Sequence, residues 1–153
     1  MKKNLAASLL LALIIFLPQM SFASEKIFNT FFSKKPAVIE IINADLIFTK
    51  VCNLYGISAL SFSGSINVLN NRKELTQKYQ EIIKVKLPSG SYAKSFYLMD
   101  KKTIYTSLED YNEKVIIHEV AHAVISAYFI ISPTVQINEI LSKYAEYTLS
   151  KNK

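Results

Sequence analysis

Val115-Ile116-Ile117-His118-Glu119-Val120-Ala121-His122-Ala123-Val124-Ile125 is the stretch from which the fold of this chain is read. Apolar residues surround three polar ones, and a helix that is apolar nearly all round is a buried one. The helix is expected to start at Ser107-Leu108-Glu109-Asp110, where a hydroxyl can cap it and acids meet the positive end of its dipole. It should run to about Tyr128. His118, Glu119 and His122 are thereby carried into the interior, where an unpartnered polar group costs about 2 kcal/mol or more. His118 and His122 are the only histidines in the chain. Four residues apart, they project from one helical face with imidazoles close enough to grip a single ion, and Glu119 is placed to take a proton from water. Two histidines satisfied by core hydrogen bonds would leave the glutamate unexplained.

A hydrolytic zinc site takes a third protein ligand. There is no further histidine, and the extended pattern HExxHxxGxxH fails because its glycine and last histidine positions hold Ile125 and Tyr128. A carboxylate is left, either Glu139 or Glu146, both on a helix expected to be capped by Ser132 and opened by Pro133. If the first helix ends near Tyr128, His122 lies about one and a half turns before the break and Glu139 about as far after Pro133, at ~1.5 Å per residue. Glu146 lies roughly 10 Å further along, on the same face as Glu139. Spacing favours Glu139, with Glu146 as the alternative ligand or a supporting group.

Elsewhere the patterns alternate between helix and strand, so the fold class is α+β. Pro36 suits a first helical turn, and Ala37 to Tyr55 ends at Gly56 as a helix should. Ser58 to Leu69 alternates loosely around Ser63-Gly64-Ser65 and is expected to form one bent strand or two short ones. Asn70-Asn71 turns the chain, and Arg72 to Val85 carries Leu75, Tyr79, Ile82 and Ile83 at helical spacing. After the turn Leu87-Pro88-Ser89-Gly90, Tyr92 to Met99 and Thr103 to Ser107 read as a hairpin. Cys52 is the only cysteine, which excludes an internal disulfide. It falls on the apolar stripe Ile41, Phe48, Cys52, Tyr55 and is expected to be core filler.

Lys2 and Lys3, the apolar run Leu5 to Leu17 and the small-x-small triplet Ser21-Phe22-Ala23 read as an export signal covering residues 1–23, too short for a comfortable membrane span. Residues 24–153 would then form a single domain in the periplasm or outside the cell, with no stable membrane span after cleavage. The formal net charge of +6 comes from scattered lysines, with Arg72 the lone arginine. No basic stripe is interleaved with exposed aromatics, so nucleic acid is not an expected partner. A solvated lysine surface, weakly attracted to anionic cell surfaces, accounts for the charge.

At two segments the chain resembles the gluzincin, or thermolysin-like, zinc metallopeptidases. His118-Glu119-Val120-Ala121-His122-Ala123-Val124 is similar to that family's HExxHAV helix, and Ile137-Asn138-Glu139-Ile140-Leu141-Ser142 to its INExxS helix. The resemblance spans about Thr103 to Leu149. It implies a minimal zincin-like domain of two motif helices and a small mixed or antiparallel sheet. It also implies one Zn2+ per chain on His118, His122 and Glu139, with Glu119 as catalytic base and a peptide or protein as substrate. Thr103 to Thr106, just before the HExxH helix, would be the edge strand that holds an extended substrate. Two positions depart from the family. Lys143 stands where an acid usually orients a ligand histidine, so orientation would fall to a backbone carbonyl or Glu146. The family's distal oxyanion-stabilising histidine has no counterpart; among Tyr144, Tyr147, Tyr111 and Tyr105, Tyr144 is the expected stand-in. Both departures also fit a non-catalytic zinc-binding pseudo-peptidase or periplasmic interaction protein, and a helical adaptor with an accidental motif is a third class.

Overall fold

The computed structural model describes residues 26–34, 36–58 and 61–151; the expected signal segment lies outside the described residues. In chain order the elements are β1 (Phe28–Phe32), α1 (Ala44–Leu54), β2 (Gly64–Leu69), α2 (Arg72–Ile83), β3 (Phe96–Leu98), a 3-10 turn (Met99–Lys101), β4 (Thr103–Ser107), α3 (Glu113–Tyr128) and α4 (Val135–Ser150). The architecture is α+β, with a sheet of order β1-β2-β4-β3. β1 and β2 are parallel, β2 and β4 are parallel, and β3 runs antiparallel to β4.

Strand side chains alternate between the two faces of the sheet. Ile66, Val68 and Ile104 point to the face covered by α1 and α3, where they join Val51, Val120 and Val124 in the larger core. Tyr105 points to the other face and meets Leu75 of α2 and Ala93 in a smaller one. Cys52 is a free, buried thiol in the larger core, as its stripe implies. Gly64 allows β2 to start where it does, because a Cβ there would lie 2.8 Å from the Lys102 carbonyl oxygen and 2.8 Å from the Phe62 ring.

Five boundaries differ from the sequence expectations, and at the three helix starts the reason is that another polar group took the capping role. The first helix begins at Ala44 rather than near Pro36, since the Asn43 side chain accepts from the Leu46 N–H. Ile41 is consequently outside the helix and exposed. Ser107 does not cap α3; its hydroxyl donates to Asp110, and Asn112 caps instead by accepting from the Val115 N–H. The last helix is capped by Thr134, not Ser132, and starts at Val135. Within the expected Ser58 to Leu69 strand only Gly64–Leu69 is paired, residues 59 and 60 lying outside the described ones, and the hairpin's first strand is reduced to Phe96–Leu98.

The edge strand also changes. Thr103 to Thr106 lie in β4, a central strand buried along its length, because β3 covers its outer side. β3 is the edge beside the HExxH helix.

Candidate metal centre

α3 is buried through Ile116, Ile117, Val120, Ala121, Ala123, Val124 and Ile125. This packing sets its rotation, which turns His118, Glu119 and His122 towards α4 and β3. α4 returns antiparallel after a short connection, and its Glu139 and Glu146 face back at the two histidines. His122 Nε2 lies 3.3 Å from Glu139 Oε1, and His118 Nε2 lies 3.6 Å from Glu139 Oε2. The two Nε2 atoms are 3.1 Å apart. His118, His122 and Glu139 therefore form a group that could hold a metal ion, each offering one ligand atom within 4.8 Å of the others. Ligands at zinc's usual bond lengths in a tetrahedron stand about 3.3 Å from one another. The two Nε2 atoms stand close to that spacing, and each faces a different oxygen of Glu139, so the carboxylate straddles the point the rings share.

His122 Nδ1 lies 2.9 Å from Asn138 Oδ1 and 3.2 Å from Ser142 Oγ. With Nδ1–H donating to the Asn138 oxygen, Nε2 is left with its lone pair directed at the shared point. Glu146 Oε2 stands 3.4 Å from His118 Nδ1, an ion-pair distance without hydrogen-bond alignment, so Nδ1 has no aligned partner. Burial first and the neighbouring His122 second lower the His118 pKa, against the pull of Glu139 and Glu146. Two lone pairs 3.1 Å apart repel unless a proton or a cation lies between them. A cation satisfies both rings and the carboxylate together.

Glu119 is 4 % exposed and its Oε2 has no hydrogen-bond partner. Burial, and secondarily the Glu139 carboxylate, push its carboxyl up to about 8, while a hydrogen bond from the Tyr97 backbone on β3 opposes the rise. The site opens into a cleft of about 1020 Å³ between residues 92–97, which lead into β3, and α4. At one end of the cleft Arg72 grips Asp110 through two nitrogens, at 2.6 and 3.0 Å, and holds that carboxyl below its usual range.

The remaining candidates are placed as follows. Lys143 is exposed on the cleft wall and orients neither histidine. Tyr144 does not line the cleft; it is half-exposed beside Tyr55, because five residues beyond Glu139 is roughly 140° further round the helix. Tyr147 is exposed. The Tyr111 hydroxyl accepts from the Ile42 N–H, and Tyr105 is in the smaller core. The tyrosines lining the cleft are Tyr92 and Tyr97. Sequence reasoning missed Asn138 and Ser142 as the partners of His122. Their signal was available: an amide and a hydroxyl four residues apart, flanking Glu139 on one helix, share the face that packs against α3. The contribution of Tyr97 is a backbone N–H and has no signature in the residue types.

No known protein family, curated protein or solved structure matches this chain.

Proposed function

We propose that this protein is a zinc-dependent peptidase of the gluzincin kind, acting on peptide or protein substrates in the periplasm or outside the cell. The observation that carries the reading is the convergence of His118 Nε2, His122 Nε2 and the Glu139 carboxylate at mutual separations of 3.1 to 3.6 Å, with the buried Glu119 beside them. Zinc bound there would supply Lewis-acid polarisation of a scissile carbonyl and acidification of a water. His118, His122 and Glu139 would hold it, Asn138 and Ser142 would orient His122, and Glu146 would stand behind His118. Glu119 would take the proton from the attacking water and deliver it to the leaving amine. β3, the free edge beside the cleft, suits an extended peptide added as a further strand. The Tyr97 side chain interacts with Ser126, so Tyr92 is the cleft tyrosine we assign to an oxyanion.

Elemental analysis and cleavage of a peptide library by the purified protein test this. About one zinc per chain is expected, retained in Glu119→Gln, with cleavage by that variant reduced about 10²- to 10⁴-fold. Lys143 in the place of an orienting acid favours a second reading, a non-catalytic zinc protein. Full zinc occupancy without cleavage of any library member would select it. Zinc occupancy well below one per chain that added zinc does not raise would dismiss both.

A further inference from the structure

α4 has a second face that the metal centre does not use. Ile137, Ile140, Tyr144 and Tyr147 follow one another at steps of three, four and three residues, which lines them up along one side of the helix, and all are 49 to 65 % exposed. The connection leading into α4 extends this surface: Ile130 is 102 % exposed and Ile131 84 %. Residues 127–138 contain no charged side chain. The cations of α4 and its C-cap that flank the stripe are Lys143, which also borders the cleft and follows Ile140 and precedes Tyr147 at helical spacing, and Lys151, whose ammonium lies 3.8 Å from the centre of the Tyr147 ring. Glu139 and Glu146, the acidic residues of α4, turn to the histidines.

We infer that this face is a peripheral docking surface for an anionic lipid bilayer. Charge selects the occupant. A second copy placed on the stripe would bring lysine flanks against lysine flanks, whereas anionic headgroups neutralise them. Without Lys2 and Lys3 of the expected signal, residues 24–153 still carry 16 basic against 12 acidic side chains, and this excess acts in the same direction at longer range. The residue types are graded as an interface needs: aliphatic isoleucines at the tip reach the acyl boundary, tyrosines place a ring below and a hydroxyl above, and lysines lie at headgroup level. No helix among the described residues is long and apolar enough to cross a membrane.

Flotation with lipid vesicles tests this on the protein as recovered from the expressing cell, every variant in the same processed form. One vesicle set is phosphatidylcholine alone and the other carries about 30 % phosphatidylglycerol. The protein should partition roughly 10- to 30-fold more strongly onto the anionic vesicles, and Lys143→Gln/Lys151→Gln should remove most of that preference. Ile130→Ser/Ile131→Ser should weaken partitioning at least about 10-fold on both vesicle types. All four positions are exposed, so an unchanged melting temperature is expected, and it separates lost docking from lost folding. Equal partitioning onto both vesicle types, or no effect of the double serine variant, overturns the inference. So does a dimer in sedimentation equilibrium that Ile130→Ser/Ile131→Ser dissociates in protein that does not float with vesicles.

Discussion

Raising the pH of the metal-free protein should destabilise it through one side chain. Glu119 has its carboxyl pushed from 4.5 up to about 8 in the folded state, mainly by burial and then by Glu139. Between those values the unfolded chain gives up this proton and the folded chain keeps it. Stability is thus fully present below 4.5 and is lost as the pH rises through about 8. At about 1.4 kcal/mol for each pH unit the interval corresponds to a loss on the order of 5 kcal/mol, a large share of the ~5–15 kcal/mol that holds a domain together. His118 acts with the opposite sign. Its folded pKa is lowered from 6.5, so stability is lost as the pH falls below 6.5. The metal-free protein should therefore be most stable in a mildly acidic window, with Glu119 setting its alkaline limb. The assay is chemical denaturation of chelator-treated wild type and Glu119→Gln from pH 5 to 8.5. The glutamine carries no titrating proton, so its curve should lack the alkaline decline while keeping the acid one. Saturating zinc should flatten the alkaline limb of the wild type, because a nearby dication favours the ionised carboxylate. Parallel wild-type and Glu119→Gln curves over this range would refute the reasoning.

Three further outcomes are expected. In metal titrations Glu139→Ala should lose zinc almost completely, whereas Glu146→Ala and Asn138→Ala should keep one zinc at about 10- to 100-fold lower affinity, as losses of ligand-orienting groups do; a Glu146→Ala variant that binds no zinc while Glu139→Ala does would exchange their roles. Tyr92→Phe should keep zinc and slow peptide cleavage about 10- to 100-fold in kcat, and an unchanged kcat would remove Tyr92 from the mechanism. Gly64→Ala, whose new Cβ would lie 2.8 Å from the Lys102 carbonyl, should lower stability by about 1–3 kcal/mol in urea denaturation, with a wild-type midpoint as the contrary result.

The helix at the heart of the fold was legible because its signal is local. An apolar run with two histidines and a glutamate at helical spacing specifies burial and one-sided presentation without reference to the rest of the chain. The same holds for Cys52 and for Leu75, whose periodicity alone assigns them to cores. Helix starts were less legible because several capping residues compete within a few positions. Ser107 lost to Asn112 once Asp110, held by Arg72 across the chain, took its hydroxyl.

By itself, then, the sequence determined the α+β class, the buried HExxH helix and the short choice of carboxylates that could complete a metal group. Tertiary structure alone decided the rest. Which strand is the sheet edge depends on β3 folding back over β4, a pairing that strand periodicity does not encode. Glu139 meets both Nε2 atoms while Glu146 reaches only Nδ1 of His118, a distinction of register between two packed helices. Asn138 and Ser142 reach His122, and Tyr144 does not reach the cleft, for the same reason: helical spacing places residues on a face, and only the packing of α4 against α3 determines what that face meets.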